Sequence, residues 1–316
     1  MFTLISDSGC DFTKAEVQKH NIDIIPFYVT LDGETYLKEG VDISKEEYFT
    51  RLQNDKTLFP KTAQPSPQDF VDIYTPHLEA GKDIITLTIS SKFSGTFNSA
   101  TLAANMLKDE YPNRKIIIVD SLSCAIGQGL ILKEMVKMRN KGYSITKTAE
   151  LAEEVIRSVK IYFSLDTLEY LKKGGRVGPT TALVGGILGL RPILHIVDGA
   201  VEQLETVRGK NRVLALMQEG IVAALKDNVE DINLIVGHIL REEDAVNFKN
   251  ALANSLQMPI ASPVEVGATI GTHAGPGAVA IAYCKKHEAF EKHSQLSAPA
   301  RAFCTDQFSS ENKIAV

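Results

Sequence analysis

The residue types best suited to chemistry crowd into positions 90–96, Ser90-Ser91-Lys92-Phe93-Ser94-Gly95-Thr96. Positions 84–89 before them are apolar or β-branched, and Phe97, Ala100, Thr101 and Ala104 after them recur at helical spacing, so a strand feeds a helix through this turn. The first N–H groups of a helix have no partners and carry partial positive charge. Short hydroxyl side chains beside them can turn toward a carboxylate or phosphate oxygen, and Gly95 lets a ligand come close to the backbone. The plainer reading makes Ser94 or Thr96 a helix cap. One cap needs one side chain, and this turn offers Ser90, Ser91, Ser94 and Thr96.

Other segments hold candidate groups. Thr272 and His273 fall within the glycine-rich stretch 267–277, which reads as a flexed loop that sets both side chains in one place. In 61–67, Lys-Thr-Ala-Gln-Pro-Ser-Pro, Pro65 holds Gln64 extended and Ser66-Pro67 reads as the cap and first turn of a helix. Arg208, Lys210 and Arg212 make a compact basic cluster, for which a solvated helix start is sufficient explanation. Arg176, after Gly174-Gly175, reads equally as a surface residue or as one that orders a loop. His195 and His238 lie in apolar strands and read as core histidines. Standard signatures for phosphate loops, zinc proteases and serine hydrolases are absent, and 275–280 imitates a dinucleotide fingerprint without a later acidic partner.

These groups need a scaffold, and 316 residues are enough for two domains of ordinary size. With 44% hydrophobic and 23% charged residues the composition is that of a globular protein. A net charge of −5 gives no basic face for nucleic acid. The cysteines, Cys10, Cys124, Cys284 and Cys304, form no C-x-x-C pair, and the N-terminus meets Asp7 too soon for a signal peptide. The expected location is a reducing cytoplasm. The uncharged stretches 177–190 and 266–284 are respectively too short and too broken by glycine and proline to span a bilayer.

Strands are expected at 3–6, 23–31, 34–37, 84–89, 115–119, 161–165, 191–197, 201–207, 232–239 and 263–266, with helices between most of them. Asp32-Gly33 and Asp198-Gly199 read as hairpin turns, and Ser44 with Glu47 as a capping box. The alternation predicts an α/β fold of two domains with largely parallel sheets and the ligand site between them: 1–160 with the anion turn, 161–284 with an apolar pocket, and a loosely packed polar extension at 285–316. Hydroxyl-rich turns at 6–8, 90–96 and 120–121 all follow strands and would share the rim where such sheets bind ligands.

The motifs ISDSGCD, KTAQPSP, ISSKFSGTFNSA, DSLSCAIGQG, LEYLKKGGRVG, LGLRPIL and GTHAGPGAVAIAY, in this order over 4–283, resemble the DegV family, which includes the fatty-acid-binding subunit of bacterial fatty acid kinase. The resemblance implies a carrier that holds a long-chain fatty acid while a separate ATP-dependent kinase phosphorylates the carboxylate. It implies that Ser94 and Gly95 meet the carboxylate, with Thr62 beside them and Thr272 and His273 closing the site. The acyl chain would run along the uncharged stretch 177–190 and neighbouring strands, with Ile187, Leu188, Leu190 and Leu194 in its pocket; ordinary core is the alternative for that stretch. Arg176, Arg208 and Lys210 would serve kinase docking or contact the acyl phosphate, and membrane contact would be transient. No cofactor or metal is implied. The residues 285–316 depart from the family pattern.

Two other readings remain open on the residues alone. One is a serine acyl hydrolase with Ser94 as nucleophile and His273 as base, for which Glu265 is the nearest preceding acid. The other is a module binding another small anion.

Overall fold

The computed structural model of the chain describes residues 2–55, 58, 60–177 and 190–294. The first half opens with β1 (Thr3–Asp7), α1 (Lys14–His20) and β2 (Asp23–Ile25), followed by β3 (Tyr28–Thr30), β4 (Leu37–Lys38), α2 (Lys45–Asn54) and β5 (Lys61–Ala63). It continues through α3 (Pro67–Glu79), β6 (Ile84–Thr88), α4 (Thr96–Leu107), β7 (Ile116–Asp120), α5 (Ala125–Asn140) and α6 (Ile145–Ser158). Four strands form a parallel sheet in the order β2-β1-β6-β7. Both of its faces are covered, as parallel sheets require. Leu4, Ile85 and Leu87 pack into the core that contains α5, while Ile5 and Ile84 pack on the other side with Phe70 and Tyr74 of α3.

The expected continuous strand at 23–31 is broken. Pro26 cannot donate to a ladder, and the halves on either side of it go to different sheets: β2 pairs with β1, and β3 joins a small antiparallel sheet between β4 and β5. That small sheet is what carries Thr62, paired with Val29.

The second half contains β8 (Lys160–Ser164), α7 (Glu169–Gly174), β9 (Leu190–Val197), β10 (Ala200–Arg208), α8 (Lys210–Leu225), β11 (Ile232–Ile239), α9 (Glu242–Leu256), β12 (Val264–Glu265), α10 (Ala268–Ala274), β13 (Ala278–Lys285) and α11 (His287–Ser294). Its sheet runs β10-β9-β8-β13-β11-β12. The α/β class is as expected, but this second sheet is not largely parallel: every neighbouring pair is antiparallel except β11 with β12. The last long strand, β13, inserts between β8 and β11, a placement that local pattern does not encode. Strand alternation then gives the sheet two different faces. Ile161, Leu194 and Ala282 face α5, and Ile193, Val279 and Ile281 face α8 and α9.

One core runs continuously from the first sheet through α5 to the second. Helix α5 is therefore buried on nearly every side, and its polar residues Gln128 and Glu134 are wholly inaccessible. Glu134 accepts hydrogen bonds from Asn233 Nδ2 at 2.9 Å, His287 N at 2.8 Å and His287 Nδ1 at 2.7 Å, and pairs with Lys137 at 2.5 Å. The start of the C-terminal extension is thus docked through the buried His287, where loose packing was expected. Glu134, His287 and Glu288 stand close enough to share a metal ion. Lys137 and Lys141 already neutralise both carboxylates, so the cluster is an ion-pair network. No helix among the described residues is long and apolar enough to cross a membrane.

Candidate functional site

Between the two sheets lies a cavity of about 400 Å³, lined mostly by apolar side chains such as Ile89, Phe93, Ile126, Phe163, Ile196 and Ile270. Thr62, Ser94, Arg176 and His273 also line it. Thr62 Oγ1 and His273 Nε2 are 2.9 Å apart, joining residues 211 positions apart in the chain.

Ser94 sits at the carboxyl end of β6, where Phe93 N and Ser94 N donate to Ser90 O and Ser94 Oγ lies 2.8 Å from Thr96 Oγ1. Helix α4 begins after Gly95, which offers no side-chain cap, and Thr96 N donates to Ser94 Oγ at 3.4 Å. The three hydroxyl-rich turns do meet on one rim: Asp7 accepts from Ile89 N at 2.6 Å, Ser90 N donates to Ser123 O, and Ser91 N donates to Asp120. Of the hydroxyls in the 90–96 turn, Ser94 lines the cavity and Ser90, Ser91 and Thr96 do not. Ser90 Oγ donates to Gly199 O at 2.8 Å, which seats the β9–β10 hairpin on the turn, and Thr96 is fully buried.

His273 is held by α10, a helix where a loop was expected. Gly267 N donates to Asp11 at 2.9 Å, and Thr269 N and Oγ1 donate to Glu39 at 3.1 and 2.6 Å, so two carboxylates meet the positive end of the helix. Successive side chains on a helix diverge by about 100°. His273 consequently shares the cavity face with Thr269 and Ile270, while Thr272 turns away, bonded to Tyr48 at 2.6 Å and to Ala268 O. Thr272 does not line the cavity, contrary to expectation.

Arg176 is anchored by two backbone carbonyls, one distant and one local, with Nε donating to Phe93 O at 3.2 Å and a terminal nitrogen to Gly174 O at 2.6 Å. A Cβ on Gly174 would lie 2.3 Å from His273 Nδ1, so only glycine permits that approach. Burial, with a smaller contribution from the Arg176 charge, lowers the His273 pKa to about 4. The imidazole is neutral near pH 7, and its Nδ1 is buried without a hydrogen-bond partner among the described residues.

The remaining expectations separate. Gly95 does not line the cavity; a Cβ there would meet Gln64 at 2.5 Å, so the residue makes room for that side chain. Leu194 is fully buried core and Leu190 pairs with Arg208 at the start of β9; neither is among the residues that line the cavity, and Ile187 and Leu188 lie outside the described residues. Arg208 and Lys210 stand away from the cavity at the base of the hairpin. His238, read as core, is a cavity residue whose Nδ1 accepts from Arg241 N at 3.4 Å. Ile126, Phe163 and Cys124 also line it and were not singled out, because a wall assembled from several distant segments has no contiguous signature.

The arrangement differs from that of a serine hydrolase. Ser94 is paired with Thr96 and His273 with Thr62, and Glu265 lies 3.5 Å from Lys45. What the geometry offers is an apolar chamber with two hydroxyls, a neutral imidazole and one guanidinium gathered where Thr62, Ser94, Arg176 and His273 meet.

Comparison with known proteins agrees with that picture. The family model for uncharacterised proteins of the DegV family matches residues 1–286. A DegV domain-containing protein of Clostridium perfringens is 32% identical over 286 residues, 90% of this chain and 98% of the relative. Among solved structures, a stearic-acid-binding protein from Eubacterium ventriosum superposes with a TM-score of 0.87 at 30% identity, covering 92% of this chain and 100% of that one. A DegV family protein from Thermus thermophilus, described by its fatty acid binding, gives 0.81 at 30% identity, with 90% and 99% covered. Matched along nearly its whole described length in sequence and in fold, the chain belongs to the DegV family.

Proposed function

We propose that this protein binds a long-chain fatty acid in the inter-sheet cavity and presents its carboxylate to a partner ATP-dependent fatty acid kinase, which forms the acyl phosphate. The observation that carries the reading is the Thr62–His273 pair at 2.9 Å on the wall of a largely apolar cavity that Ser94 and Arg176 also line. An acyl chain gains about 0.8 kcal/mol per buried methylene. A carboxylate leaving water needs several donors. Ser94 and Thr62 supply hydroxyl donors, and Arg176 supplies further N–H donors and charge. In this reading residues 1–160 bring the hydroxyls, residues 161–284 bring His273 and Arg176, and Arg208 belongs to the kinase-docking face. The setting is a reducing cytoplasm, consistent with free thiols at Cys10, Cys124 and Cys284.

Mass spectrometry of an organic extract of the purified protein tests the ligand. The expected result is a near-stoichiometric long-chain fatty acid, reduced in Ser94→Ala by about tenfold in affinity, the value of one charge-assisted hydrogen bond. A protein that stays empty after incubation with fatty acids refutes the reading, and unchanged affinity in Ser94→Ala removes Ser94 from the site.

Cys124 offers a second readout because it lines the cavity, whereas Cys10 and Cys284 are buried in the core. Burial pushes its thiol up to about 12, so alkylation is slow. In a Cys304→Ser background, palmitate at about 100 times its Kd should slow Cys124 alkylation by an apolar maleimide about a hundredfold, in proportion to the empty fraction. Equal rates with and without palmitate would place the lipid elsewhere.

A further inference from the structure

Away from the lipid cavity, Ser164, Arg191, Lys210 and Arg241 surround a small pocket of about 20 Å³, which the carboxylates of Asp166 and Asp244 also line. It lies on the opposite face of the second sheet. Leu165, Ala278 and Ala280 line the lipid cavity, whereas their neighbours Ser164, Gly277 and Val279 line this pocket, as strand alternation dictates.

Three features of the pocket call for an anion. Ser164 is only 5% exposed, and its Oγ has no hydrogen-bond partner among the described residues. A native fold seldom leaves such a group unmatched. Helix α8 starts beside it after Gly209, with no side-chain cap and no acidic residue in its first turn. Lys210 and Arg212 occupy that turn and Arg208 precedes it. Cations at a helix N-terminus oppose the macrodipole, so this start violates the usual charge rule in a way a bound anion would relieve. Finally, cations outnumber their counter-ions. Asp166 pairs with Arg191 and Arg241, and Asp244 pairs with Lys210 at 2.6 Å and Arg241 at 3.2 Å, which sets two carboxylates against three cations. Arg208 and Arg212 flank Lys210 in sequence but do not line the pocket.

We propose that the pocket formed by Ser164, Arg191, Lys210 and Arg241 is a binding site for a phosphate oxyanion, separate from the lipid cavity. One oxygen enters the water-sized floor and accepts from Ser164 Oγ. The others stay at the mouth, where they accept from Lys210, the two guanidinium groups and the first N–H groups of α8. The planar donors of arginine suit a phosphate better than a spherical halide. The site does not depend on the proposed fatty-acid binding.

The test uses the full chain with inorganic phosphate or phenyl phosphate, against chloride at matched ionic strength, and reads both thermal unfolding and equilibrium binding. Phosphate should raise the melting temperature where chloride does not, and Lys210→Gln should weaken binding about tenfold, as expected for a lost charge-assisted contact. Ser164→Ala should weaken it about fivefold; because this variant only removes an unpaired buried hydroxyl, it keeps the fold. Preference for phenyl phosphate identifies the natural ligand as a phosphomonoester, and preference for the inorganic ion identifies free phosphate. Equal effects of phosphate and chloride on the wild type, or full phosphate binding by Ser164→Ala, overturn the proposal. Palmitate protection of Cys124 should be unchanged in both variants, so failure here is distinguishable from failure of the lipid reading.

Discussion

Replacing Glu134 by leucine should lower the free energy of unfolding by about 3–5 kcal/mol, the range for removing one member of a buried, hydrogen-bonded charge pair. Burial on its own would raise the pKa of this carboxylate, but hydrogen bonds from Lys137 and from the backbone and ring of His287 outweigh it and leave the value lowered. The carboxylate is therefore ionised and fully enclosed between α5, β11 and α11. Leucine fits the volume but strands the His287 N–H, its ring nitrogen and the Asn233 amide without an acceptor. Urea unfolding should show the midpoint falling at constant m-value. The double variant Glu134→Leu with His287→Leu should recover about 1–3 kcal/mol of the loss, because the two side chains share one network. A Glu134→Leu variant within about 1 kcal/mol of wild type would show that the C-terminal helix does not depend on this contact.

The second large effect concerns pH. His273 has its pKa lowered from 6.5 to about 4, chiefly by burial. Between those values the unfolded chain holds a proton that the folded protein excludes, so this residue makes stability rise with pH through that window and fall as the solution is acidified. The full difference corresponds to about 3 kcal/mol. Asp7 acts in the opposite sense. Its pKa is raised from 3.8 to about 6, mainly by burial, so the folded state holds a proton that the unfolded chain releases, and its contribution declines as pH rises through nearly the same window. The wild-type profile is thus a sum of opposing slopes. The profile of His273→Gln minus that of wild type isolates the histidine: the variant should gain up to about 3 kcal/mol relative to wild type on going from pH 7 to pH 4 in the ligand-free protein. A difference that stays constant across this range would mean that the imidazole is not buried in its neutral form.

Much of the local architecture was legible in the chain. Ser66 accepts from Asp69 N with Pro67 at the first helical position, and Ser44 accepts from Glu47 N, though only that half of the expected capping box forms because the Glu47 carboxylate pairs with Arg51. Asp198 and Gly199 turn the β9–β10 hairpin with positive φ at both positions. The change from strand to helix period around Ser94 located a turn that does reach the cavity, and the ordered DegV-like motifs pointed to a family that the comparisons bear out. The caps, the hairpin turn and the change of period each depend on residues within a few positions of one another.

Long-range assembly decided the rest. Thr62 faces His273 because β5 joins the sheet of β3 and because Asp11 and Glu39, each more than 200 positions away, anchor the start of α10. The same assembly drew the glycine-rich stretch at 268–274 into a helix and so turned Thr272 away from the cavity. It also placed β13 between β8 and β11, which made the second sheet antiparallel. The amino-acid sequence by itself determined the caps, the turns and the period of each element, because those follow from backbone sterics and neighbouring side chains. Only the tertiary structure decided which strands pair, which polar groups meet and where a cavity remains, since each is the joint outcome of packing faces that no single segment encodes.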